Sequence, residues 1–172
     1  MSITTDQASV GAEENVGAPD RRRPATSKLI VVDFPSVFPE WTGNVPAEEL
    51  IARSVLVRTL AQARRDGDVY LVGTSPGLAT TVAELFPGAA IFVDSDDPES
   101  VKAMAAGFLA HESTGGFSEL VVVSANERFV GVVDAFRKSG RSVTVVSTED
   151  NAHSALAERA DVVHFFPDFS DD

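Results

Sequence analysis

Six short aliphatic runs limit what this chain can fold into more than any other feature of it. They are residues 29–33, 69–73, 90–94, 120–123, 143–146 and 162–165. Leu29-Ile30-Val31-Val32 and Leu120-Val121-Val122-Val123 are apolar at every position, without the alternation of a strand that has one face in water. Strands buried on both faces belong to parallel sheets, with helices covering each side. Parallel neighbours need long crossovers, and the intervals between these runs carry helical patterns. Right-handed crossovers then give a three-layer, doubly wound α/β sandwich with a mainly parallel sheet.

The helical intervals have recognisable starts and stops. Pro46 opens one, with Glu48 and Glu49 in the first turn where acids offset the helix dipole. Leu50, Val57 and Leu60 keep helical spacing, and Gly67 is expected to close the element. Ser75-Pro76 predicts a serine-capped helix ending near Pro87. Asp97-Pro98 predicts another running to about Glu112, with Val101, Met104, Ala105, Phe108 and Leu109 on one stripe. Phe129, Val132, Val133 and Phe136 mark the buried face of a helix that stops at Gly140. A short helix is expected from Asn151 to Arg159.

With 172 residues the chain suits one domain. Residues 1–27 are polar and charged with few large aliphatics, and read as a flexible tail. Residues 28–166 form the α/β domain, and 167–172 a short acidic tail. Cysteine is absent, which excludes disulfides and thiolate metal sites. His111, His153 and His164 lack zinc-ligand spacing. The formal net charge of −12 disfavours nucleic acid, whose phosphates it would repel, and the basic cluster Arg21-Arg22-Arg23 lies in the tail. No run approaches the roughly 20 apolar residues that span a bilayer, and no secretory signal is visible, so a cytoplasmic protein without membrane attachment is expected.

In doubly wound sheets, ligands bind beyond the carboxyl ends of the strands, where the winding reverses. Those ends carry Asp33, then 73–75, then Asp94-Ser95-Asp96-Asp97, then Ser124-Ala125-Asn126-Glu127, then 147–150. Pooled carboxylates are the ligands that Mg²⁺ or Mn²⁺ prefers, with Asp33, Asp94 and Asp96 as candidate metal ligands. Local structure competes for several acids. Asp97 is placed to cap a helix, Glu127 to complete a capping box with Ser124, and Asp150 to cap the segment after it. Asp33 is harder to explain this way, because a carboxylate ending a buried strand must be hydrated, paired or cation-bound. The 73–77 turn has neither a P-loop lysine nor dinucleotide-fingerprint spacing.

The stretch Glu119 to Phe136, with Ser124-Ala125-Asn126-Glu127-Arg128-Phe129 between strand and helix, resembles the Ser-Gly-Asp-Ser-Asp-Phe signature of NYN domains. These are the LabA-like branch of the PIN-type nucleases. The similarity extends over about residues 28–166 and includes the closing Leu156, Ala160-Asp161 and 162–165. It implies sheet order 3-2-1-4-5 with a sixth short strand, which sets Asp33 and Asn126 across one cleft. Intact members are regarded as metal-dependent endoribonucleases. Here Asp33 matches the family's first acid, Asn126 stands at the position of the principal aspartate, and Arg128 at that of the next. The family's Asp-Gly-x-Asn turn is replaced by Asp33-Phe34-Pro35-Ser36, and no acid lies between Glu99 and Glu112. The resemblance therefore implies a catalytically inactive NYN-type domain, a pseudo-nuclease acting as a binding or regulatory module for a protein partner or assembly, with no cofactor. The alternative is a divergent endoribonuclease using Mg²⁺ or Mn²⁺.

Overall fold

The structure is a computed structural model and describes residues 27–40, 45–64, 67–93 and 116–167. Strands β1 (Lys28–Asp33), β2 (Val69–Thr74), β3 (Ala90–Val93), β4 (Glu119–Val123), β5 (Ser142–Ser147) and β6 (Val162–Phe165) form one sheet. All neighbours are parallel, as the aliphatic runs predict, and the order is β3-β2-β1-β4-β5-β6, in agreement with the order expected on the resemblance. The winding reverses at β1, which pairs with β2 on one side and β4 on the other.

Residue alternation divides the core between two faces. Ile30, Val32, Val72, Val121, Val123 and Val146 meet helices α1 (Phe34–Val37), α2 (Ala47–Leu60) and α3 (Ala79–Leu85) through Phe34, Val57 and Val82. Leu29, Val31, Leu71, Leu120, Val122, Val143 and Val145 meet α4 (Val130–Lys138) through Phe129, Val133 and Phe136. Side chains on a strand point to opposite faces in turn, so an unbroken aliphatic run supplies both cores at once. The expected helix 97–112 lies outside the described residues.

Local signals are corrected in four places. Phe34–Val37 is a helical turn with Pro35 at its start, where the sequence offered only the turn Asp33-Phe34-Pro35-Ser36. Helix α2 ends at Leu60, before Gly67, because Gln62 turns left-handed (φ 49°) and Ala63 N–H donates back to the Arg58 carbonyl. Ser75 is extended at the cap position, but its side chain forms no cap hydrogen bond, and a 3₁₀ turn (Pro76–Leu78) precedes α3. Residues 149–151 and 157–159 are separate 3₁₀ turns instead of one helix. Asp150 lies within the first and caps nothing; Asn151 Nδ2 donates to Thr148 Oγ1 at 2.7 Å, a side-chain bond that competes with helix continuation.

One charge is tied down at the amino end of the sheet. Lys28 is buried, and its ammonium donates to the Ala61 carbonyl at 3.2 Å and pairs with Glu119 at 3.0 Å. The other Glu119 oxygen accepts from Thr144 Oγ1 at 2.8 Å. Removing one partner of such a pair strands the other, at roughly 3–5 kcal/mol when both are fully buried. Glu119 retains some exposure, so Glu119→Ala is expected to cost about 2 kcal/mol, read as a lower urea midpoint at unchanged slope.

An aromatic group closes the α1–α3 side. Phe86 lies 5.8 Å from Phe34 and 5.3 Å from Tyr70, and the Arg58 guanidinium stacks 4.7 Å above Phe86. Burial pushes the Tyr70 phenol above its ordinary value of 10.0, with the Asp68 carboxylate adding to the rise and Arg58 opposing it. The unfolded phenol ionises near its ordinary value, so this contribution to stability is intact below about pH 10 and is lost as pH climbs through the raised folded value. Tyr70 is the only tyrosine, which permits a direct check. Absorbance at 295 nm is expected to titrate above pH 10 in the folded protein and near 10 in guanidinium.

Candidate functional site

Asp33 ends β1 opposite Gly73 of β2, at the winding reversal. It is 3% exposed. The residues that surround it come from the turns after β1 and β4. Ser124 Oγ donates to Asp33 Oδ2 at 3.1 Å and accepts from the Asn126 N–H at 2.9 Å. Ser36 Oγ lies 2.9 Å from Ser124 Oγ, 3.2 Å from the Asp33 carbonyl, and accepts from the Ala125 N–H at 3.0 Å. Each hydroxyl has one proton to give. With the Ser124 proton on the carboxylate, Ser36 is left to donate to Ser124 or to the Asp33 carbonyl. The result is a relay from the Ala125 amide through two hydroxyls to a carboxylate.

The relay explains the local fold. Helical turn α1 swings Ser36 back over the end of β1, and Ser124 leaves β4 on the same side as Asp33. Two amides that would otherwise be orphaned at a buried strand end receive acceptors. Two crossing turns are joined as a result.

The positions that the NYN resemblance singled out from sequence fall as follows. Asn126 is the N-cap of the 3₁₀ turn Glu127–Phe129, and its Oδ1 accepts from the Arg128 N–H at 3.0 Å. Glu127 does not complete a capping box; it is exposed, and Ser124 faces Asp33 in its stead. Arg128 is exposed on the same turn. Asp33 and Asn126 are thus linked through Ser124. Asp94, Asp96 and Asp97 lie outside the described residues. Ser36 was not singled out from sequence as a site residue, although its place in the altered Asp33-Phe34-Pro35-Ser36 turn was the available signal.

Asp33, the one described residue of the three candidate metal ligands, is poorly placed for a hard divalent ion. Mg²⁺ binds oxygens at about 2.1 Å and keeps several waters, which requires an open carboxylate. Asp33 is closed over and holds a serine proton on one oxygen. Among the described residues no three acidic or histidine side chains converge on one point. Two further hydroxyls at strand ends, Thr74 Oγ1 and Ser147 Oγ, are buried without a hydrogen-bond partner among the described residues.

No protein-family model matches this chain, and no curated protein does. Among solved structures it is similar to a protein of unknown function from Vibrio parahaemolyticus RIMD 2210633. The TM-score is 0.53 at 12% sequence identity, over 84% of this chain and 94% of that one. At that identity the likeness concerns the fold alone. The sheet and its winding reversal thus define a Rossmann-like parallel α/β protein. Among the described residues, no helix is long and apolar enough to cross a membrane.

The relay makes a stability prediction. Ser124→Ala removes a donor from a buried carboxylate and an acceptor from the Asn126 amide, and such losses cost about 1–3 kcal/mol each before relaxation. Expected loss is about 2–3 kcal/mol in chemical denaturation, whereas Ser124→Thr, which keeps the hydroxyl, is expected to recover at least half.

Proposed function

We propose that this chain is an NYN-type, PIN-like domain without nuclease activity, working as a binding or regulatory module for a protein partner or assembly. The observation that carries this reading is the closure of Asp33 by Ser124 and Ser36. A carboxylate that serves a catalytic cation must present an oxygen to the metal in a cleft that water and substrate can reach. One buried beneath two serines, with a backbone amide behind each, serves to join turns. Asn126 supports the same reading. Its amide oxygen is committed to a cap and supplies no negative charge, and Arg128 stands at the other position where the resemblance expects an acid.

The charge balance favours a protein partner over RNA. At −12 the chain repels a polyanion over distances of about a Debye length, roughly 8 Å at physiological salt.

The decisive measurement incubates the purified chain with single-stranded and hairpin RNA in millimolar Mn²⁺, and in parallel follows its melting temperature. RNA is expected to remain intact, and Mn²⁺ to leave the melting temperature unchanged, since only binding to the folded state raises it. Asp33→Asn is the matched variant, because the amide oxygen can still accept from Ser124. Cleavage by the parent that Asp33→Asn abolishes would establish instead the divergent Mg²⁺- or Mn²⁺-dependent ribonuclease, with Asp94 and Asp96 as its remaining ligands.

A further inference from the structure

Helix α2 is apolar on two sides. Leu50 and Val57 are buried in the core, while Ile51 and Val55, one turn apart, are 52% and 54% exposed. Helix α4 shows what an ordinary outer helix presents: its exposed positions are Gly131, Ala135, Arg137 and Lys138. The other large apolar residues that are exposed among those described, Val93 and Val162, sit on the edge strands β3 and β6. A helix that carries apolar residues all round is expected to be covered all round.

The outward face has an order. Glu48, Ile51, Val55 and Arg58 follow one another at intervals of three, four and three residues, the a-d-a-d spacing along which paired helices meet. An acid stands at one end and a guanidinium at the other, about 15 Å apart at the rise of a helix. Arg58 is held in place by stacking on Phe86 and by donating to the Leu85 carbonyl, and a guanidinium has five N–H groups to share. Ala52 and Thr59 flank the stripe. The Thr59 hydroxyl donates to the Val55 carbonyl at 2.8 Å, so its polar atom is already satisfied within the helix.

We infer that this face pairs with the same face of a second copy, α2 against α2 and antiparallel, across a two-fold axis at the level of Arg53. That one operation sets Glu48 opposite Arg58 and Ile51 opposite Val55, each pair occurring twice, and it closes on itself. The apolar pair and the charged pair share a single centre, so the stripe is its own complement. An unrelated partner would have to supply the same charges in the reverse order. Antiparallel helix dipoles act in the same sense. The chain's net charge of −12 opposes self-association at long range, but within the stripe one acid balances one base. A helix of 14 residues is about 21 Å long and about 10 Å across, so the contact falls below the roughly 1,200–2,000 Å² of stable interfaces. The dimer is therefore a weak one. It does not depend on the NYN reading, and the fate of RNA has no bearing on it.

Sedimentation equilibrium of the full chain, from about 5 to about 500 µM at physiological salt, is expected to show monomer and dimer with a Kd of roughly 10–200 µM. Val55→Glu sets a charge against Ile51 of the other copy and is expected to raise Kd at least about tenfold. Its melting temperature should hold, because position 55 is exposed and glutamate suits a helix. The register is read by cross-linking, which a chain without cysteine permits. Under mild oxidation, Ile51→Cys mixed with Val55→Cys is expected to form disulfide dimers at least about fivefold faster than either variant alone, because only that pair is brought face to face. Glu158→Cys, exposed on the α4 side, is the control for random collision. A monomer at every concentration would overturn the inference and leave the face to a different partner. A dimer that Val55→Glu leaves intact would overturn it by placing the contact elsewhere. Cross-linking of the mixture no faster than the control, or slower than Ile51→Cys alone, would overturn the antiparallel pairing.

Discussion

A carboxylate buried at the midpoint of a parallel sheet has to be solvated by the protein, and the turns around it are arranged to do so. Isolated, such a charge would be prohibitive away from water. Ser124 meets one oxygen directly, and Ser36 and the amides of Ala125 and Asn126 complete the cluster. These contacts need α1 to begin the moment β1 ends and β4 to end opposite Val32. The position of the winding reversal, the path of both turns and the fate of Asp33 therefore depend on one hydrogen-bonded group.

The sheet was legible because burial on both faces leaves a simple mark. Aliphatic runs at 29–33, 120–123 and 143–146 appear as β1, β4 and β5 with ends shifted by no more than a residue or so. Helix α4 was legible for a related reason: Phe129, Val133 and Phe136 are buried at helical spacing. Short elements were less so. Nothing in the Asp33-Phe34-Pro35-Ser36 turn marked a helix, yet proline at the first turn of a helix forfeits nothing, since that amide has no intrahelical partner. At 151–159 the side chains of Thr148 and Asn151 bond to each other, and a weak helical pattern gives way to turns.

The candidate site was half legible. Asp33 stood out because its strand left a charge with no local explanation. Its partners did not, since Ser36 and Ser124 are 88 positions apart and serine is common in turns. Pairing across that separation exists only after the sheet order brings β1 beside β4. The contact between Phe38 and Phe166 is similar. Phe38 and Phe166 are ordinary core residues in sequence, and only the closing of β6 onto β5 sets one ring against the other.

Asn126 shows how a fold of this kind can keep its architecture while its electrostatics change. At a helix N-cap, asparagine and aspartate are about equally good, because either side-chain oxygen can accept from the amide two residues on. The Arg128 N–H makes that bond to Asn126 Oδ1. An aspartate there would hold the same amide and retain a second oxygen and a full negative charge. The exchange is therefore almost invisible to stability and large for any cation nearby: at an effective dielectric of about 20, one unit charge at 4 Å changes the interaction by about 4 kcal/mol. On the proposed reading, the helix start stays because capping requires only a dipole, and the chemistry goes because a divalent ion requires charge.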